Sequence, residues 1–138
     1  MTIKLSRMAD YAVTLMAVFA RSQETSNEAE LMTVSALAAK TGLSEATVSQ
    51  ILKKLTRQKL LNSCRGVNGG YSLAMGAETI TMAHVVEAMD GPISLTRCLD
   101  TDNACCYAGT CNTKDSWAQV NTAVREALNS MTLKDICR

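Results

Sequence analysis

The stretch TVSALAAKTGLSEATVSQILKKLTR, residues 33–57, decides the fold of this chain. Apolar residues in its first part recur at the spacing of one helix face and stop at Gly42, the residue type that most easily takes a left-handed conformation at a helix end. Ser44 can cap a second helix, whose apolar positions repeat at i, i+3, i+4 and i+7. A helix, a glycine turn and an amphipathic helix predict a helix-turn-helix.

A β-hairpin is predicted directly after this unit. Residues 60–65 and 71–73 form two short strand-like runs, and Gly66-Val67-Asn68-Gly69-Gly70 between them is typical of a turn. A hairpin that follows a helix-turn-helix indicates a wing.

Further helices are predicted on both sides. Ser6 can cap a first helix over residues 6–21, a polar loop is expected over 22–32, and a short helix over 81–89 ends at Gly91. A last helix begins near Thr113 and carries an apolar stripe that fits either core packing or a dimer seam. The stripe consists of Trp117, Val120, Val124, Leu128 and Met131.

These patterns predict a mainly α fold with a small β-hairpin wing, that is, a winged helix-turn-helix followed by a long C-terminal helix, which is a dimerisation helix if its stripe is a dimer seam. Residues 1–75 form the predicted DNA-binding domain, with nine Lys and Arg against five Asp and Glu. Residues 76–138 hold the linker helix, a cysteine-rich loop and the dimerisation helix, and are net acidic. A chain of 138 residues that is 47% hydrophobic with no membrane-length apolar run is expected to be cytoplasmic.

The basic half is predicted to bind double-stranded DNA. No acidic residue lies between Glu45 and Glu78, so the second helix of the motif after Glu45, and the wing, carry positive charge alone. The N-terminal part of this helix would read base edges in the major groove, while cations would contact phosphates. The alternative is a solvated helix face beside an ordinary hairpin turn. The candidate DNA-binding residues are Thr47, Ser49, Gln50, Lys53, Lys54, Arg57, Arg65, Gly66, Gly69 and Gly70.

Four of the six cysteines lie within fourteen residues, which indicates metal or redox chemistry in a reducing compartment. Cys98, Cys105 and Cys111 can bring three thiolates to an iron–sulfur cluster, and Cys106 is the alternate ligand to its neighbour. Structural zinc usually uses pairs of cysteines separated by two to four residues, and Cys98, Cys105 and Cys111 include no such pair. A metal-free thiol–disulfide switch remains an alternative. No convergent acid–base set is apparent, so an enzyme is not expected.

The chain resembles the Rrf2 family of bacterial transcription regulators, which are winged helix-turn-helix dimers that commonly carry an iron–sulfur cluster. The resemblance covers nearly the whole chain. It rests on residues 5–12 (LSRMADYA), the helix-turn-helix, the wing sequence RGVNGGYSL of residues 65–73, and the three spaced cysteines. It implies a homodimer that binds a palindromic operator, acts as a repressor or activator, and has no membrane partner.

Residues 91–98 (GPISLTRC), with Trp117, Asn121 and Asp135, are most similar to the subgroup that regulates the SUF iron–sulfur assembly operon. The ISC-system regulator uses a His three residues after its third Cys, where this chain has Lys114, whose ammonium cannot bind iron. In the nitric-oxide-sensing branch an Asp from the partner subunit completes the site, and Asp10 matches it. A helix-dipole role would explain Asp10 equally well.

The resemblance therefore implies a regulator that senses iron–sulfur cluster status, or oxidative or nitrosative stress, and controls iron–sulfur assembly genes. The gap of six residues between Cys98 and Cys105 departs from the five common in the family. The resemblance therefore leaves the cluster type open between [2Fe–2S] and [4Fe–4S]. Nitric-oxide sensing and the thiol switch are the alternatives.

Overall fold

The computed structural model describes residues 6–25, 31–67, 69–92 and 114–136. The described part of the chain is mainly helical with a two-stranded antiparallel hairpin, so the predicted fold class is confirmed. Its elements in chain order are α1 (Arg7–Thr25), α2 (Val34–Thr41), α3 (Glu45–Arg57), β1 (Leu61–Cys64), β2 (Gly70–Leu73), α4 (Met82–Asp90), α5 (Lys114–Asn129) and α6 (Leu133–Ile136).

Helix α1 begins where the sequence predicts, because the Ser6 hydroxyl accepts the backbone N–H of Ala9 at 3.1 Å. The predicted end near residue 21 is wrong, since α1 continues to Thr25. This last turn has no apolar stripe, but the Gln23 side-chain oxygen accepts the N–H of Ala77 at 3.3 Å and ties the turn to the rest of the fold. A contact so distant in sequence leaves no local pattern.

The helix-turn-helix forms as predicted. Thr33 caps α2 by accepting the N–H of Ala36, and Gly42 ends that helix in the left-handed conformation at φ 77°. Ser44 caps α3 and accepts the N–H of Thr47 at 3.2 Å. The apolar face of α3 is fully buried and consists of Val48, Ile51, Leu52 and Leu55.

The hairpin pairs Leu61 with Leu73 at its base and Cys64 with Gly70 near its tip. Met32, which was expected in a loop, forms an isolated bridge with Tyr71, with N···O distances of 2.8 and 2.9 Å in the two directions. The wing is therefore hydrogen-bonded on the outer side of β2 as well, and this second contact fixes it to the segment that precedes α2.

Helix α4 is capped more strongly than the sequence indicated. Thr81 accepts the N–H of His84, and the His84 Nδ1 atom accepts the N–H of Thr81 at 3.2 Å, so the two residues form a reciprocal capping box. The usual capping box has Glu or Gln at this position, so a histidine here gives no sequence signal for the cap.

Helix α6 was not predicted. It is only four residues long, but Leu133 is fully buried in the same core as Leu15, Ile51 and Val85. The backbone N–H of Leu133 donates to Ile80 at 3.0 Å, and the Asp135 carboxylate accepts both the N–H and the hydroxyl of Thr132 at 3.1 Å. Residues from both sides of the predicted division at residue 75 thus share one core, and the division itself stays a prediction.

No helix among the described residues has the length and apolar character needed to cross a bilayer.

We expect Leu133→Ala to lower the free energy of unfolding by about 2–5 kcal/mol, because it leaves a cavity in the shared core. The neighbouring variant Lys134→Ala, at an exposed position of the same helix, should change it by less than about 0.5 kcal/mol. Urea unfolding of both variants at one protein concentration gives the comparison. Equal stabilities would contradict the role of α6 in closing the core.

Candidate nucleic-acid interface

One face of α3 is free to meet a ligand. Ala46, Gln50, Lys53 and Arg57 follow one another at spacings of four, three and four residues and are all exposed, opposite the buried face. The sequence-predicted residues Gln50, Lys53 and Arg57 therefore lie in one row along the helix. A carboxamide near the N-terminus of α3 followed by two cations suits base contact at one end and phosphate contact along the rest.

Three other predicted residues of α3 lie at the edges of this row. Thr47, Ser49 and Lys54 are half-buried. The Thr47 hydroxyl also accepts from the Ser44 hydroxyl at 2.8 Å, so it takes part in the cap of its own helix. Gln50 is thus better exposed than Thr47 for contact with a base.

The positive charge of this surface is not neutralised within the described part of the chain. None of Lys53, Lys54, Arg57 and Arg65 forms an ion pair with another described residue, whereas Arg125 of α5 pairs with Glu87 of α4 at 3.3 Å. Cations that have no ion pair with the described residues remain available for phosphates.

Lys59 adds a cation where α3 ends, and it does so in an unusual backbone conformation. It has φ 65°, the left-handed region that a helix end normally gives to glycine. Its N–H donates to Thr56 at 3.0 Å, and the next N–H, of Leu60, donates to Leu55 at 3.0 Å. The sequence contains no glycine here to announce the end of the helix.

The wing places Arg65 and Gly66 in exposed positions at the tip. The three predicted wing glycines differ in how much room the structure leaves for a side chain. A Cβ on Gly66 would meet open space, whereas one on Gly69 would clash with the Cys64 carbonyl oxygen, and one on Gly70 would fall 2.8 Å from that of Met32. Gly69 and Gly70 are therefore required by packing within the chain, a reason independent of DNA.

The comparisons with known proteins decide the family. The model of the Rrf2 family, described as iron-dependent transcriptional regulators, matches residues 5–138. The chain belongs to the Rrf2 family. It is a DNA-binding transcription regulator whose relatives include the HTH-type transcriptional regulator IscR of Vibrio campbellii, 31% identical over 138 residues, with 99% of this chain and 78% of the relative covered.

Solved structures agree with this assignment. CymR, the global cysteine regulator of B. subtilis, superposes with a TM-score of 0.75 at 27% identity and covers 99% of this chain and 97% of its own. IscR of T. potens gives a TM-score of 0.72 at 25% identity, with 97% and 85% covered. Both IscR and CymR are therefore similar to this Rrf2 protein, and the SUF subgroup is not confirmed.

Helix α5 of this Rrf2 protein leaves its apolar stripe open. None of its described side chains is buried, and Trp117 and Val120 are 43% and 45% exposed. Val124 and Leu128 are half-buried, and Met131 follows the helix with 45% exposure. Core packing, one of the two expected explanations, accounts for only part of the stripe within the chain.

The cysteines of the predicted cluster, Cys98, Cys105, Cys106 and Cys111, lie outside the described residues. Among the described residues no group of three His, Cys, Asp or Glu side chains converges on one point. Asp10 is exposed in the first turn of α1. The cap of that helix, Ser6, donates to the Asp90 carboxylate at 2.6 Å. The start of α1 thus lies beside the end of α4, from which the chain runs on toward the cysteines.

Proposed function

We propose that this Rrf2 protein binds a palindromic operator with the exposed face of α3 and the wing, and regulates transcription in response to an iron–sulfur cluster held by its cysteines. The observation that supports DNA contact best is the row Gln50, Lys53 and Arg57, which is exposed and free of ion pairs to described residues. Lys59 after the end of α3 and Arg65 in the wing are two further exposed cations. In this proposal Gln50 reads a base, and the cations bind phosphates.

We expect Lys53→Ala to weaken binding to all DNA sequences and to reduce the slope of log affinity against log salt by about 0.9 for each phosphate that is no longer neutralised. Gln50→Ala should instead relax sequence preference and leave the salt slope unchanged, because an amide releases no counterion. Fluorescence anisotropy over a salt series measures both effects.

Lys134→Ala is the matched control, since it removes an exposed lysine from the opposite part of the sequence. If it lowers the salt slope as much as Lys53→Ala does, the binding is nonspecific attraction to net charge and the proposed docking is wrong.

We propose further that α5 forms the seam of a homodimer. A tryptophan and a valine, both more than two-fifths exposed on one helix face, are apolar surface that a second copy of the same helix can cover. A two-fold dimer also places two copies of α3 on one palindrome, which a monomer cannot do.

Val120→Glu should shift the protein to monomer, because it places a carboxylate in the centre of that seam. Gln119→Glu adds the same charge to an exposed position on the other side of α5 and should leave the dimer intact. Sedimentation velocity over a range of concentrations separates the two. A dimeric Val120→Glu variant would place the seam elsewhere.

The cluster proposal rests on donor chemistry. Thiolates are the ligands that iron–sulfur clusters use, and Cys98, Cys105 and Cys111 would supply three of them, with Cys106 as the alternate to Cys105. Asp10 is the proposed fourth ligand, from the partner subunit, and its exposed place beside the end of α4 fits this role. When bound, the cluster would supply a redox-sensitive centre that orders the polar segment around the cysteines.

In this proposal the chain's own residues transmit the state of that segment. Asp90 accepts from Ser6, so the end of α4 is tied to the cap of α1, and α1 packs against α2 and α3. Loss of the cluster would thereby change how the two copies of α3 are presented to DNA. We propose iron–sulfur assembly genes as the target, with SUF regulation as the specific case.

We expect protein purified without oxygen to show visible charge-transfer absorption with matching iron and acid-labile sulfide. Cys98→Ser should lose the absorption, Asp10→Ala should make the cluster more labile, and Cys64→Ser, at an exposed position of β1, should retain it. If the protein stays colourless after reconstitution, the cluster proposal is wrong and the thiol–disulfide switch is favoured. Absorption that bleaches with nitric oxide but not with oxygen would favour nitrosative sensing.

A further inference from the structure

The only histidine of the chain lies where a helix cap requires a hydrogen-bond acceptor. His84 is the third residue of α4, and its Nδ1 atom accepts the backbone N–H of Thr81 at 3.2 Å. A histidine ring accepts at Nδ1 only while that nitrogen carries no proton. The cap of α4 therefore depends on the protonation state of one side chain, which a Gln at the same place would not do.

Thr81 also joins α4 to the two helices that follow it. Its hydroxyl accepts the N–H of His84 at 3.3 Å and donates to the side-chain oxygen of Asn129, the last residue of α5, at 3.2 Å. Its backbone forms an isolated bridge with Thr132, directly before α6. We call these four residues, Thr81, His84, Asn129 and Thr132, the α4 joint. The ring of His84 thus bonds the residue at the centre of the joint.

The charged groups described around His84 are paired with other partners. Glu87 lies one turn further along α4 and pairs with Arg125 of α5 at 3.3 Å, and Asp135 of α6 accepts from Thr132. Glu87 also lines the cavity beside His84, to which α1 contributes none of the described lining residues. The other lining residues are uncharged, namely Gln58, Leu60, Ala88, Gly91 and Pro92. His84 itself is exposed, so its ring can take a proton directly from the solvent.

We propose that His84 makes the α4 joint sensitive to acid, so that protonation of its ring loosens the attachment of α4 to α5 and α6. Histidine is the side chain that typically gains or loses a proton between about pH 5 and 8. A proton from the solvent on Nδ1 turns the acceptor into a donor that faces the N–H of Thr81, and the bond between them is lost. Its stabilisation is therefore present above this pH range and disappears as the pH falls through it.

The joint lies between the two surfaces that the proposed function needs. Helix α4 contacts α3, which carries the proposed DNA surface, and also α5, the proposed dimer seam. A looser attachment of α5 to α4 would let the two copies of α3 in a dimer change their relative position. We therefore expect acid to weaken DNA binding. This consequence rests on the proposed function, whereas the opening of the joint does not.

Hydrogen exchange of the full-length protein measures the joint directly. The N–H of Met82 donates to the Met131 carbonyl at 2.9 Å, and that of Leu133 donates to the Ile80 carbonyl at 3.0 Å, so both amides lie across the joint. Their protection is corrected for the intrinsic effect of pH on exchange. In the wild type it should fall about fivefold between about pH 7.5 and pH 5.5, the effect of one net hydrogen bond.

His84→Gln is the matched control, because glutamine is a usual capping-box residue and its side-chain oxygen accepts at either pH. Protection of both amides in this variant should not change with pH. His84→Ala has no acceptor, so its protection should also be independent of pH and should lie below that of His84→Gln. Since the chain has one histidine, no other imidazole contributes to the difference between wild type and variants.

DNA affinity of the same three proteins gives the second readout, with a duplex selected from a random-sequence pool by the wild type at about pH 7.5. The wild type should lose up to about fivefold in affinity at about pH 5.5 relative to His84→Gln, since the proton cannot shift binding by more than its effect on the joint.

Equal pH dependence of exchange in wild type and His84→Gln would show that another group opens the joint, and an unchanged wild type would show that the cap does not need the neutral ring. Either result overturns the inference. Exchange that responds to acid without a matching change in DNA affinity would overturn the effect on DNA binding. If none of the three proteins binds DNA at either pH, the proposed function fails, while the exchange data still decide whether the joint responds to acid.

Discussion

The burial of one broad face of α1 is the interaction on which the rest of the fold depends. Ala9, Ala12, Leu15, Met16 and Ala20 are all completely buried, and helices α2, α3, α4 and α6 all contact this helix. Three of these five residues are alanines, so neighbouring helices can approach α1 closely, while Leu15 and Met16 fill the space between them. The orientation of α3, and hence of its exposed row, is set by this packing rather than by the helix-turn-helix alone.

The elements that the sequence predicted well are those with local signals. The cap at Ser44, the glycine end of α2 and the periodic face of α3 each depend on residues within one or two turns of chain, and each formed where expected. The hairpin likewise follows from its glycines and short strands. Such features need no knowledge of distant residues, and this is why a single sequence sufficed.

The elements that were missed depend on contacts between distant residues. The last turn of α1 is held through Gln23 and Ala77, the Met32 bridge needs β2 to be in place, and α6 needs Ile80 and the core around Leu133. None of these partners is near in sequence. The candidate DNA surface could be predicted because the lack of Asp and Glu after Glu45 and the helical spacing are both visible in the sequence. The packing roles of Gly69 and Gly70 could not, because they depend on the backbone of Cys64 and Met32 lying beside them in the fold.

The left-handed conformation of Lys59 affects both the stability and the surface charge of the protein. A left-handed conformation costs a residue with a side chain roughly 1–2 kcal/mol, and glycine would occupy the same place without that strain. Glycine would also remove one cation from the junction between α3 and the wing. At this residue, with φ 65°, a lower-strain backbone and a positive surface charge therefore exclude each other. The chain has the lysine, which keeps the charge and retains the strain.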